Sequence, residues 1–382
     1  MHHIKSRHGQ EIKETTAFPR LPGPRVVTHG HKGGEDPLRR RKVLTGIAAS
    51  AAAAISPTPG SGSPSTEETL LGELLVARIR DAMLGLGETI ATPSAWDPDT
   101  DFSRALADFD ACRYSGLAVR LPRLIRAGHA TTTGGVVGSD LPTKSYLLAT
   151  RMLIKLDEQQ LGWMAADRAR QFAAARGDAL GIAESARQLA VLARKAGWHT
   201  EALTIALSAA DDPDLRGAGR PGAAERGLLI QSAAYTLARR GDREGMRELT
   251  DEATAIAREL GGAIMLREHG GGFGALTVQL HRISAENHAG DPMAALDAAR
   301  TVSLKALPSV ERRSRCLSDV AAALDRLGRR QECVRTLLSA ERHAPQETRA
   351  RPAVRALVSS LLVSGPTSTE LRGLAQRSGV LV

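Results

Sequence analysis

Four stretches, Lys195-Ala-Gly-Trp-His-Thr-Glu-Ala202, Arg239-Arg-Gly-Asp-Arg-Glu-Gly-Met246, His288-Ala-Gly-Asp-Pro-Met-Ala-Ala295 and Arg326-Leu-Gly-Arg-Arg-Gln-Glu-Cys333, align without a gap. Their shared register decides the fold. Each closes one helical stretch and opens the next. Gly197, Gly241, Gly290 and Gly328 fall where a helix must stop and the chain reverse, a point at which a residue without Cβ enters the left-handed conformation at no steric cost. Seven residues before each glycine stand Ala190, Ala234, Ile283 and Ala321. Five after it come Ala202, Met246, Ala295 and Cys333, and twelve after it Ala209, Ala253, Val302 and Ala340. Mostly small side chains at three fixed distances let two antiparallel helices approach closely. Recurrence of such a unit means a stack of helix pairs.

That register resembles the tetratricopeptide family over residues 101–364, which implies an all-α, irregular solenoid of antiparallel helix pairs. Pro345 stands where the family ends a unit, and Pro213 and Pro308 lie one residue from it. The match is good around Gly197 and Gly328 and weaker where Met246 and Ile283 replace small residues. Upstream, Thr150, Gly162 and Ala169 hold the spacing, but Asp157 stands in place of the glycine. The intervals of 44, 49 and 38 residues between successive glycines exceed the family's ideal 34. The surplus falls in the Gly/Pro-rich stretches 211–222 and 261–274, expected as linkers.

Composition agrees with helices. Of 382 residues 42% are hydrophobic but only 3% aromatic, and a chain rich in Ala and Leu suits helices better than strands. Cys112, Cys316 and Cys333 are odd in number and form no CxxC spacing, which argues against a disulfide framework or structural zinc. They are expected as buried thiols. The first 42 residues hold ten Lys/Arg and four Asp/Glu, six charges of the net +9. Residues 1–37 show no helical or strand period and are expected to form a disordered basic tail. Residues 38–66 form a tether or signal-like segment: Arg39-Arg-Arg-Lys42, then the apolar Gly46–Ile55 run, then a Ser/Pro/Gly linker. The paired Arg40-Arg41 resembles a twin-arginine export signal, whereas a plain interdomain tether is the other reading. No apolar run reaches 18 residues, so no transmembrane helix is expected. Residues 67–100 hold a helix and a loop. Asp101 is expected to cap the next helix, and 365–382 to form a terminal helix over the solenoid's end.

The order of parts also resembles a family of actinobacterial regulators, in which an Xre-type helix-turn-helix domain precedes a tether and a degenerate tetratricopeptide-like domain. The resemblance rests on Asp36-Pro-Leu-Arg-Arg-Arg-Lys-Val-Leu44, Tyr114-Ser-Gly-Leu-Ala-Val-Arg-Leu-Pro122 and Gly241-Asp-Arg. It implies a cytoplasmic transcriptional regulator of development or secondary metabolism whose repeats sense a peptide, small molecule or protein. The chain departs from the pattern at its start, which lacks the helix-turn-helix domain. Thr369–Val380 reads like the first half of one, but no recognition helix follows it, and groove reading needs that helix. Direct DNA reading is therefore not expected of this chain. Export as a helical-repeat scaffold through Arg40-Arg41 is the alternative.

Motifs for catalysis, cofactors and metals (HExxH, GxSxG, a Walker loop, an EF-hand loop) are missing, so a non-enzymatic binding protein with no cofactor, metal or catalytic residue is expected. Gly270-Gly-Gly-Phe-Gly274 carries no GK[ST] and is read as an inter-repeat loop. In tetratricopeptide-like repeats the first helix of each pair lines the groove. On that implication the ligand-contacting residues are Arg187, Arg194 and Lys195; Gln231, Tyr235 and Arg239; Asn287 and His288; and Arg315, Asp325 and Arg326. Their mixture of cations, amides and a phenol suits a peptide's carboxylate and backbone. The expected partner is a protein or peptide ligand, with self-association a further possibility.

Overall fold

A computed structural model describes residues 64–87, 96–133, 139–266 and 271–380. The expectations for the basic tail and for the Arg40-Arg41 segment lie outside the described residues. Those that follow belong to one unit, Gly62–Val382. Among them the chain forms seventeen α-helices and one two-stranded hairpin. Helices α1 (Pro64–Met83), α2 (Pro98–Asp110) and α3 (Tyr114–Thr133) come first. Five antiparallel pairs follow: α4 (Leu141–Lys155) with α5 (Gln159–Arg176), α6 (Ala179–Lys195) with α7 (His199–Ala210), and, after the short α8 (Pro213–Gly217), α9 (Gly219–Arg240) with α10 (Arg243–Glu259). The hairpin β1 (Ile264–Leu266) and β2 (Gly271–Phe273) leads to α11 (Ala275–His288) with α12 (Pro292–Arg300), then α13 (Val310–Arg326) with α14 (Arg330–His343). Helices α15 (Pro345–Ala350), α16 (Pro352–Val363) and α17 (Thr369–Arg377) end the unit. The fold is an all-α, irregular solenoid of antiparallel helix pairs.

The reversal within each pair has one construction. Gly197, Gly241, Gly290 and Gly328 have φ of 84°, 81°, 84° and 69°. Each glycine N–H donates to the carbonyl three residues back, and the next N–H to the carbonyl five residues back from itself, as in Trp198 to Ala193 at 2.9 Å and Arg329 to Leu324 at 2.9 Å. This motif satisfies the carbonyls that a helix leaves open at its end. Asp157 makes the same turn at φ 64°, with Glu158 N–H donating to Leu153 O at 2.9 Å. Asp tolerates the left-handed region better than most residues, so the pair α4–α5 has the reversal without the glycine. Most side chains at the spaced positions are enclosed: Ala190, Ala202, Met246, Ile283, Ala295, Ala321, Cys333 and Ala340 are all fully buried, while Ala209 and Val302 are half-buried.

Three local expectations are corrected. Asp101 is not a cap. Asp97 caps α2, accepting from Asp99 and Thr100 N–H, while Asp101 is a buried anion held by Arg123 at 2.7 Å; Pro98 at the first helical position starts the helix four residues earlier. Residues 211–222 are not a linker but helix, with Asp212 capping α8. Gly271–Phe273 is not part of a loop but a strand: it pairs with β1, Ile264 facing Phe273. Phe273 is fully buried against α9 at Gly227, where an added Cβ would lie 2.1 Å from the Phe273 ring. The three cysteines are buried and unbridged, as expected.

The first helices of the pairs pack on one another in order, α4 on α6, α6 on α9, α9 on α11 and α11 on α13. The row returns to its start, because α13 packs on α2 and α2 on α4. The second helices lie outside this ring. Polar contacts lock the closure: Tyr114 Oη donates to Glu347 Oε2 at 2.8 Å, and Tyr114 N–H to Gln346 Oε1 at 2.6 Å. Lys155 reaches Glu347 at 2.9 Å and Glu311 at 3.0 Å. Helix α17 buries Leu371, Leu374 and Ala375 and packs on α16, α14 and α1, fastened by Arg377 donating twice to Glu341, at 2.6 and 2.7 Å.

Candidate functional site

The inner face of the ring is charged, although apolar side chains fill the layers between helices. The reason is helical geometry. Each first helix buries its apolar stripe against its partner and neighbours, and the remaining i, i+3 and i+4 row turns inward. Glu184, Arg187, Gln188 and Arg194 form that row on α6, and Glu225, Gln231, Ser232 and Tyr235 on α9. His281 and His288 stand on α11; Glu311, Arg312, Arg315 and Asp319 stand on α13; Arg151 stands on α4.

Arg187 meets Glu184 with two short bonds, 2.5 and 2.6 Å. Glu184 also accepts from Gln188 at 2.6 Å. Glu225 faces this group from α9, 3.9 Å from Arg187. It is fully buried and neither of its oxygens has a conventional donor. Burial, then the adjacent Glu184 carboxylate, raise the Glu225 pKa well above the usual carboxylate range. Glu225 is therefore favoured in its protonated form, which lets it donate to Glu184. Glu311 behaves oppositely: despite burial, Lys155, Arg312 and Arg315 hold its pKa far below the ordinary value.

Tyr235 is the hub of the other half. Arg194 lies over its ring at 5.3 Å and donates to Ser232 O at 3.0 Å. Arg315 crosses the ring of helices to donate to the Tyr235 hydroxyl at 3.2 Å. His281 and His288 stand edge-on to the same ring, at 5.7 and 6.0 Å. Burial, then nearby arginines, lower both imidazole pKa values, that of His288 to about 4. Both are neutral at pH 7. Gln231 is 2% exposed, and neither atom of its amide makes a hydrogen bond.

Of the groove residues read from sequence, Arg187, Arg194, Gln231, Tyr235, His288 and Arg315 come together in this cluster. Arg239 is exposed at its rim, close enough to His288 to lower its pKa. Arg326 and Asn287 meet there, Arg326 donating to the Asn287 carbonyl. Two others point elsewhere. Lys195 pairs with Asp157 at 2.7 Å, and Asp325 lies near Cys333, helping burial to push that thiol up to about 12. Reading the sequence missed Arg151, Glu225, Glu311, Arg312, Asp319 and the role of His281. The signal was present: Glu225 and Arg312 each stand sixteen residues before their glycine, one turn beyond the offset of Arg315, which stands thirteen before Gly328, and His281 and Asp319 stand nine before theirs. The ring's closure, which brings α2 and α4 against α13, had no such signal.

Among the described residues no group of three or more His, Cys, Asp or Glu converges as a metal site requires, and no helix is long and apolar enough to cross a membrane. No protein-family model matches the chain, and no curated protein matches it.

Proposed function

We propose that this chain is a non-enzymatic regulatory protein of the tetratricopeptide type, a transcriptional regulator of development or secondary metabolism that acts in the cytoplasm by binding a ligand on its inner face. The observation that carries the reading is the cluster around Tyr235. There Arg194, Arg315 and His281, from three different helix pairs, converge on one phenol beside an unbonded amide. Side chains that need partners and lack them mark places where a ligand supplies the partner. The neutral histidines and the raised buried cysteines give no activated nucleophile or base, which favours binding over catalysis. The sequence order of tether and repeats supports the regulatory context.

The test is genetic. In a strain lacking the protein, transcript levels of developmental or secondary-metabolic genes change. The wild-type chain restores them, and a folded Arg194→Gln/Arg315→Gln variant does not. Restoration by the variant equal to wild type overturns the reading. The Arg40-Arg41 segment followed by an apolar run favours a second reading, an exported scaffold. N-terminal sequencing of the native protein separates the two: a start near Ala54 means export, and an intact Met1 means cytoplasmic retention.

A further inference from the structure

We infer that the inner face beside Tyr235 is a binding site for a compact polyanion of the phosphate class, gripped by Arg194, Arg315 and Arg239, with Gln231 and the imidazoles of His281 and His288 as neutral donors. The inference rests on the binding-protein reading above and assigns the ligand's chemistry.

Charge is the first argument. Arg194 and Arg239 have no carboxylate partner among the described residues, and Arg194 spends Nη1 on Ser232 and, at 3.4 Å, on Thr236. Arg315 interacts with the Glu311 carboxylate and reaches Asp319 at 3.7 Å, too far for a good hydrogen bond. Two guanidiniums, from α6 and α13, thus meet one phenol and a third, Arg239 of α9, stands beside His288 and Arg194, with most of their donors unspent. Crowded like charges of this kind are tolerated when an anion joins them.

Unbonded polar atoms line the same place. Gln231 Nε2 and Oε1, His281 Nδ1 and His288 Nδ1 are enclosed without partners, although buried polar atoms are nearly always bonded. An imidazole can present an N–H at Nδ1, and Gln231 presents two at Nε2. Apart from Gln231 Oε1, which accepts, these atoms therefore point to a ligand rich in acceptors.

Geometry selects the class. A planar carboxylate is matched by one guanidinium in one plane. Here donors arrive from the three helices α6, α9 and α13 and from α11, which suits a tetrahedral group with acceptor oxygens in several directions. The crevice lined by Gln231, Tyr235 and His281 on the α10 side is too narrow for a water molecule; the anion docks from the inner side, where Arg315 is a third exposed, and reaches Gln231 and His281 when their side chains turn toward it.

Binding is coupled to protons. His281 is faced by Arg312 and Arg315 from α13, Arg187 and Arg194 from α6, and Tyr235 from α9; His288 is faced by Arg239 and Tyr235 from α9, Arg326 and Arg315 from α13, and Arg194 from α6. A polyanion among these cations reverses the local field and raises both imidazoles' proton affinity.

The experiment is calorimetric titration of the full chain with pyrophosphate, inorganic phosphate and succinate at matched ionic strength and pH 6, in two buffers of different ionisation heat. Saturable pyrophosphate or phosphate binding with proton uptake is expected. Affinity falls at least about tenfold in Arg194→Gln, Arg315→Gln and the exposed Arg239→Gln, with folding of each checked by circular dichroism. It is unchanged in Arg335→Gln, an exposed change on α14. Absence of saturable binding, or binding equal in wild type and Arg239→Gln, overturns the inference. Succinate binding as tight as pyrophosphate overturns the phosphate assignment. If the titration is silent while the Arg194/Arg315 variant still fails to restore transcripts, the ligand class falls and the regulatory reading stands. If the variant also restores transcripts, both fall.

Discussion

At the scale of single residues, Glu225 is the most informative position. A carboxyl with no exposure and no conventional donor is compatible with folding only when protonated or paired, because an isolated buried charge is costly. Its neighbour Glu184 accepts from Arg187 and Gln188, and burial, then this adjacent group, keep the proton on Glu225. The sign of the pH dependence follows. A carboxyl whose folded pKa is raised stabilises the fold fully below its unfolded value, near 4.5, and loses that contribution as pH rises toward the folded value. Glu225→Gln mimics the protonated form at every pH. The variant is therefore expected to gain stability over wild type progressively above about pH 4.5, with the larger gain at pH 8 than at pH 5 in urea unfolding. A difference that is flat with pH would show that Glu225 is ionised in the folded chain.

At the scale of elements, the hairpin explains why a repeat interval can stretch to 49 residues without breaking the stack. β2 delivers Phe273 onto α9, and Gly227 is the flat spot that receives it. Gly227→Ala forces its Cβ into the Phe273 ring and is expected to cost about 1–3 kcal/mol as overpacking. Phe273→Ala empties the same contact at about 3–5 kcal/mol. The two share one contact, so the double variant should cost clearly less than the sum. Thermal or urea unfolding of the three variants measures this; additivity would place Phe273 elsewhere.

At the scale of the whole unit, closure is the property that matters most for the site. Lys155, Glu311 and Glu347 join the two ends of the row, and Tyr114 adds a buried bond to Glu347. Tyr114→Phe removes one charged-acceptor hydrogen bond and is expected to cost about 1–3 kcal/mol. Glu347→Ala leaves Lys155 with less compensation and should cost more, about 3–5 kcal/mol. Hydrogen exchange gives the sharper test. Because α1 packs on α15 and α17, both variants should lower protection in α1 and in α15–α17 together, while α7 and α10 keep theirs. Loss confined to α15 would mean that the closure is not cooperative.

Local chemistry is what the amino-acid order determined by itself: glycines where helices reverse, small residues where helices touch, and the inward row of Arg187, Arg194, Tyr235 and Arg315. Each depends on neighbours within a turn or two, so spacing reveals it. Asp101 and Gly271–Phe273 misled because each has two locally acceptable roles, and the choice was made by remote partners, Arg123 for the first and the α9 surface at Gly227 for the second. Ring closure was decided only in three dimensions. Tyr114 and Glu347 are 233 residues apart, and no periodic pattern encodes their meeting. The protonation of Glu225 and the neutrality of His281 depend on burial and on charges from separate helices. For the same reason the charged cluster on the inner face is a property of the folded ring, although most of its members could be named from the sequence.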